Sequence, residues 1–190
     1  MPGMPSAKMS ASEYLAWERE QLDRHEFFRG EVFAMAGGSL RHSALAASVT
    51  RDLGVVVRGS GCQVHSSDRR VVVSPGVHYV YPDVTLVCGA HELVEGTNDV
   101  LLNPCVIIEV LSRSTEAYDR GDKWAAYQRI QSLREYVLVS QTSPRIEIFR
   151  REGERWHYEV VEAGGRLTLA GRFQLEVDSI YEDIFEIPGD

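Results

Sequence analysis

The run Pro104-Cys105-Val106-Ile107-Ile108-Glu109-Val110-Leu111 constrains this chain more than any other segment. Apolar residues fill both alternating faces, as in a strand covered on both sides at the centre of a sheet. Glu109 interrupts it, and a carboxylate in that setting is costly unless something pairs with it. A second acid opens another apolar strand, Tyr81-Pro82-Asp83-Val84-Thr85-Leu86-Val87, in which Asp83, Thr85 and Val87 share a face. Lys123 follows in an amphipathic helix, on the face that carries Tyr127 and Ile130.

If the two strands are neighbours, Asp83 and Glu109 can face one cation. Mg²⁺ is content with two protein carboxylates, because it keeps several waters and takes oxygens from a substrate phosphate. A nearby ammonium then holds the attacking water and offsets charge on the transition-state oxygens. The expected site is that of a Mg²⁺- or Mn²⁺-dependent phosphodiesterase, with Asp83 and Glu109 as metal ligands and Lys123 as the third catalytic group. Each residue alone has a plainer reading: a turn acid after proline, a carboxylate paired with a structural arginine, a solvated helix lysine. The case rests on the three together.

Two residues are expected in support. His42 continues an apolar helix stripe, as a satisfied core histidine does; the functional alternative puts it at the mouth of the site. Glu31 is a hairpin carboxylate that either faces solvent or completes the metal shell. Glu26, Asp68 and Arg69 either orient the metal ligands or pair with one another. His25, His65, His78, His91 and His157 show no ligand spacing.

The 190 residues suffice for one domain with a real core, expected over residues 9–190 behind a flexible tail at 1–8. The net charge of -8 argues against a dedicated, high-affinity duplex binder, because phosphate contacts need lysine and arginine. It does not exclude a nuclease whose acids sit in the site and are neutralised by metal. No apolar run approaches the roughly 18 residues of a membrane span, and the N-terminus lacks the order of a secretory signal. Cys62, Cys88 and Cys105 are odd in number and widely spaced, without zinc spacing, so buried free thiols in a reducing cytoplasm are expected.

The element order is helix, strands, helix, strands. Ser10 and Glu13 have capping-box spacing and start a helix from 11 to about 20. A hairpin turns at Arg29-Gly30. His42, Leu45, Val49, Leu53 and Val56 recur at helical spacing. Strands are expected over 63–73, 81–88, 105–111 and 135–140. A second hairpin joins 145–150 to 156–161, and short pieces at 167–169 and 173–185 finish the chain. This is a mixed α/β (α+β) pattern around a central sheet.

These pieces carry a resemblance. Tyr81-Pro82-Asp83-Val84, then Pro104 to Glu109-Val110-Leu111-Ser112, then Ser114-Thr115 and Asp119-Arg120-Gly121-Asp122-Lys123 with Tyr127 resemble the Uma2 family of endonucleases within the PD-(D/E)XK nuclease superfamily. The likeness extends from Met9-Ser10-Ala11-Ser12-Glu13-Tyr14-Leu15, through Gly30-Glu31-Val32, His42 and Ser67-Asp68-Arg69, to Glu135-Tyr136-Val137-Leu138-Val139. It implies a restriction-endonuclease-like core: a central mixed β-sheet flanked by helices, with an extra N-terminal helix and hairpin and a C-terminal β-hairpin. It also implies a nucleic-acid substrate, DNA first, and Asp83 and Glu109 as metal ligands. The superfamily pattern puts a lysine two residues after the glutamate, where this chain has Leu111. The resemblance implies that Lys123 takes over that role. A homodimer would supply one site for each strand of a duplex. The alternative is a catalytically weak or inactive nuclease-fold binding or regulatory protein, which the net charge and Leu111 favour.

Overall fold

Local sequence signals set the first elements. The computed structural model describes residues 8–35 and 37–189, so most of the expected tail lies outside the described residues. The Ser10 hydroxyl accepts from the Glu13 N–H at 3.3 Å and Glu13 Oε2 accepts from the Ser10 N–H at 2.7 Å. This reciprocal cap starts α1 (Ala11–Glu18), which ends two residues earlier than expected. β1 (His25–Phe28) and β2 (Glu31–Ala34) pair around Arg29 and Gly30, both at positive φ (50° and 91°). Two left-handed residues in a two-residue loop match the right-handed twist of the strands they join. Ser39 caps α2 (Leu40–Val56), and Leu45, Val49 and Leu53 form its buried spine, as the spacing predicts.

The middle of the chain departs from the sequence reading. The segment expected as one strand over 63–73 breaks at a turn closed by Arg69 N–H to Ser66 O at 3.1 Å. Its halves, β3 (Cys62–Ser66) and β4 (Arg70–Ser74), belong to different sheets. The strand expected over 81–88 starts three residues late, as β6 (Val84–Cys88): Tyr81-Pro82-Asp83 is the link that carries the chain across from β5 (His78–Val80), a strand of the other sheet that the sequence reading did not include. A sequence window sees β-forming residues on both sides of each break but not the sheet they will join.

β7 (Val100–Leu101) and β8 (Val106–Val110) follow. The next helical segment is composite: α3 (Glu116–Tyr118), a π turn over Asp119–Lys123, and α4 (Trp124–Tyr127). Then come β9 (Glu135–Val139), the hairpin β10 (Arg145–Glu152) and β11 (Arg155–Glu162), the hairpin β12 (Arg166–Leu169) and β13 (Phe173–Glu176), and α5 (Val177–Ile180).

The central sheet has six strands in the order β11-β10-β9-β8-β6-β3. It is mixed: β8 runs parallel to β9 and antiparallel to β6. Beside it lies a five-stranded sheet, β2-β1-β5-β4-β7, which the sequence reading did not separate from the first. On β8, Val106, Ile108 and Val110 pack with the α2 spine, while Ile107 joins Tyr127, Leu133 and Tyr136 on the opposite face. Glu109 alternates with Ile108 and so points to the Tyr127 side. α1 covers the five-stranded sheet through Tyr14 and Leu15. No described helix is long and apolar enough to cross a membrane.

The cysteine expectation is corrected. The β3–β6 register sets Cys62 opposite Cys88, and the two form a disulfide; among the described residues only Cys105 is free. Partners brought together by strand register leave no mark in sequence spacing, and the paired thiols no longer argue for a reducing compartment. The bridge closes a loop of 26 residues, so chain entropy predicts a loss of roughly 3 kcal/mol when it is opened. Urea unfolding of Cys88→Ser, or of the reduced protein, is expected to show a lower midpoint; an unchanged midpoint would remove the bridge from the stabilising interactions.

Candidate active site

Asp83 is the last residue before β6. Since Val84 pairs with Ile108, the next step of that antiparallel register brings Asp83 beside Glu109 and Val110. The Val110 N–H donates to Asp83 Oδ2 at 2.8 Å, and the Asp83 N–H approaches Glu109 Oε2 at 3.4 Å. From α2, His42 Nε2 comes to 3.2 Å from the same Oδ2. The two acids are thus held side by side by backbone.

Glu109 is fastened from the helical segment. Tyr127 O–H donates to Glu109 Oε1 at 2.7 Å and the Lys123 ammonium lies 2.9 Å from that oxygen. Lys123 is buried, 6% exposed, which excludes the solvated-lysine reading. Its Nζ is also 3.5 Å from Asp119 Oδ1 and 3.6 Å from Glu26 Oε1. The π turn brings Asp119 and Lys123 together on the strand side, and Tyr136 O–H holds the Asp119 carbonyl at 3.1 Å. Wide turns of this kind recur at functional sites because they re-aim side chains within a helix. Leu111 is buried in the apolar cluster that contains Tyr127, and the ammonium reaches Glu109 from the helix instead.

The electrostatics follow from four carboxylates (Glu26, Asp83, Glu109, Asp119) facing one ammonium and one imidazole. Burial pushes the Glu109 carboxyl up to about 8; Lys123 opposes this, while Asp83 and Asp119 add to it. Burial alone would lower Lys123, but Glu109, Glu26 and Asp119 outweigh it and hold the lysine well above its usual range. His42 behaves alike: burial favours the neutral ring, and the hydrogen bond and charge of Asp83 raise it instead. A raised Glu109 implies a neutral partner and a raised Lys123 a charged one. Both hold if the surplus of acid keeps one proton in the cluster and burial seats it on Glu109. Burial, with the charges of Lys123 and Arg129, lowers nearby His78 to about 4, so that ring is neutral.

A cleft of about 830 Å³ opens over these groups, lined among others by Glu26, His42, Asp83, Glu109, Asp119 and Lys123. The structure therefore gathers four of the five residues expected from sequence. The fifth, Glu31, stays out: it lies beside the hairpin turn, its carboxylate is 57% exposed, and it pairs with Lys8 at 3.5 Å. Asp68 pairs with Arg24, away from the cleft. Glu26, expected either to orient the metal ligands or to pair with Asp68 or Arg69, reaches the ammonium. Asp119 was missed, although its spacing of four from Lys123 on a helix was a readable signal.

Among the described residues, no group of three or more His, Cys, Asp and Glu side chains is arranged to hold a metal ion. Two carboxylates remain. Oδ2 of Asp83 and Oε1 of Glu109 are engaged, which leaves Asp83 Oδ1 without a protein partner among the described residues and Glu109 Oε2 with only the 3.4 Å contact. An oxygen pair of this kind suits a hard cation that completes its shell with water and phosphate, and does not suit a cation that needs three or four protein ligands.

Comparison with known proteins places the chain in a family and a fold. Residues 11–178 match the Uma2 family, described as "Putative restriction endonuclease". The chain is 34% identical over 185 residues to the Synechocystis protein named uncharacterized protein slr1290, covering 96% of each chain. It is 31% identical over 147 residues to a second Synechocystis protein, sll1609, covering 77% of this chain and 83% of that one. The crystal structure of a "putative nuclease" of the DUF820 group from Anabaena variabilis superposes with a TM-score of 0.75 at 16% identity, over 93% of this chain and 99% of that one. The fold is thus the restriction-endonuclease-like one that the resemblance implied. Matched from its first helix to its last and aligned with a full-length relative, this chain is a member of the Uma2 family.

Proposed function

We propose that this protein is a divalent-metal-dependent endonuclease that hydrolyses DNA phosphodiester bonds. The observation that carries the reading is one arrangement: Lys123 Nζ lies 2.9 Å from Glu109, and Glu109 and Asp83, side by side, line the same cleft. Membership in the family described as "Putative restriction endonuclease" supports it.

Asp83 and Glu109 would hold Mg²⁺ or Mn²⁺, which when bound supplies a Lewis-acid clamp on the phosphate and a more acidic coordinated water. Lys123 keeps its proton, so it is a fixed cation and not a base. Its role is to donate a hydrogen bond to the attacking water and to balance charge on the transition-state oxygens. Glu26 and Asp119 aim the ammonium. His42 holds Asp83 in orientation from the cleft side and, protonated, presents a second positive group to an approaching phosphate. Glu109 would hold the cation in its ionised form, without the proton that burial favours on it.

Nicking of negatively supercoiled plasmid, in which torsion favours opening of the duplex into unpaired strands, tests the reading. The wild type is expected to nick with Mg²⁺ or Mn²⁺ and to stop in EDTA. Asp83→Asn is expected to lose at least about 100-fold in rate with its circular dichroism unchanged. Full activity in that variant would move the metal site elsewhere. Inactivity of the wild type on DNA and RNA alike would leave a nuclease fold that serves as a binding module.

A further inference from the structure

The β1–β2 hairpin turns an aromatic face toward the cleft that nothing in the core requires. Cross-strand pairing sets Phe33 opposite Glu26 and Phe28 opposite Glu31, so these four side chains share one face. The other face carries Phe27 and Val32, buried with Tyr14 and Tyr79. Phe28 and Phe33 are 39% and 46% exposed and both line the cleft. Phe33 stands opposite the residue that contacts Lys123, so it flanks the carboxylate cluster directly. Two exposed guanidinium groups, those of Arg29 and Arg129, also line the cleft, and Arg29 lies 5.1 Å from the centre of the Phe28 ring. Tyr118, 39% exposed, adds a ring from the helical segment.

Rings beside cations are what an unpaired strand needs, because every base has a face to stack and every phosphate a charge to meet. A duplex needs something else: a long row of lysine and arginine along its two backbones. The net charge of -8 and the two exposed cleft arginines do not supply one. A volume of about 830 Å³ is that of a small-molecule pocket, the scale of one or two nucleotides and not of a duplex.

We infer that the substrate at this site is an unpaired nucleic-acid strand, with the base beside the scissile phosphate stacked on Phe33 and Phe28 and the flanking phosphates met by Arg29 and Arg129. The inference rests on the phosphodiesterase reading above for the position of the scissile bond. Both rings are half-exposed, so their truncation leaves the core intact.

Fluorescence anisotropy with labelled oligothymidylate, oligouridylate and a blunt duplex tests it, in EDTA and again in Ca²⁺. The unpaired strand is expected to bind about tenfold or more tighter than the duplex. Phe33→Ala and Phe28→Ala are each expected to weaken it about tenfold, and Phe33→Tyr, which keeps a ring, to retain it. Equal binding of oligouridylate and oligothymidylate supports the inference and shows that the sugar is not read. Duplex binding as tight as strand binding, or no effect of either alanine, overturns it. The nicking assay separates this from the catalytic reading. Ring-dependent strand binding without any cleavage keeps the inference and removes the nuclease; cleavage with tight, ring-independent duplex binding does the reverse.

Discussion

Replacing Lys123 with methionine is expected to abolish cleavage, by about 10³-fold or more, while divalent-ion affinity stays level or improves slightly. Methionine fills nearly the same volume, so the change removes charge and hydrogen bonds rather than packing. The attacking water loses its donor and the transition-state oxygens lose a fixed positive group, and single interactions of this kind are worth about 10²–10³ in rate. Affinity for the metal should not suffer, because the ammonium 2.9 Å from Glu109 Oε1 repels a cation bound at the same carboxylate, and that repulsion disappears with it. Stability should fall as well. Glu26, Glu109 and Asp119 lose their shared partner, and breaking a buried ion pair costs about 3–5 kcal/mol. The cost should shrink at lower pH, where Glu109 takes up a proton. Lys123→Arg should restore part of the stability but not the rate, since a planar guanidinium cannot occupy the same point among Glu109, Glu26 and Asp119. The experiment is a nicking time course beside thermal melts at two pH values. Wild-type cleavage in Lys123→Met would reduce the lysine to a structural ion.

Several parts of this arrangement were legible before any coordinates. The run 104–111 declared itself a doubly covered strand, and all five residues of β8 are buried. The α2 stripe and both long hairpins followed from spacing, because helix and strand periods are local properties. What failed was non-local. The turn that splits 63–73 and the link at 81–83 that delays the next strand are short breaks in β-rich sequence, and only pairing partners show that the strands on either side serve two sheets. The disulfide depended on register in the same way. The choice of Glu26 over Glu31 could not be read from the hairpin, whose pairing puts both acids on one face. Distance from the turn decided it: Glu26 sits far enough along β1 to meet Lys123, whereas Glu31 sits at the turn beside Lys8. The π turn had no sequence mark either, since its wider bonding is held by tertiary contacts such as Tyr136 to the Asp119 carbonyl.

Metal affinity is expected to climb with pH and to do so through Glu109. Burial lifts this carboxyl to about 8 in the folded chain, against an ordinary 4.5. An acid raised on folding favours the native state below its unfolded value, and that contribution disappears as pH rises through the folded value. The Glu109 contribution to the stability of the metal-free protein should therefore fall between pH 4.5 and about 8, by at most about 1.4 kcal/mol per pH unit, while His78, lowered to about 4, works in the opposite direction below 6.5. His42, also raised, acts in the same direction above its usual 6.5. A divalent cation inverts the trend, because it binds the carboxylate and must displace the proton. Affinity should rise by up to about tenfold per pH unit and level off above about 8. Glu109→Gln keeps the shape and the Tyr127 contact but cannot ionise. It should bind Mn²⁺ weakly at every pH, and its melting temperature in EDTA should fall less between about pH 5 and 8. Calorimetric Mn²⁺ titrations at three pH values, with melts in EDTA, decide the matter. Wild-type affinity that is flat across this range would mean that Glu109 is ionised throughout, and that the surplus negative charge of the cluster is neutralised at another group.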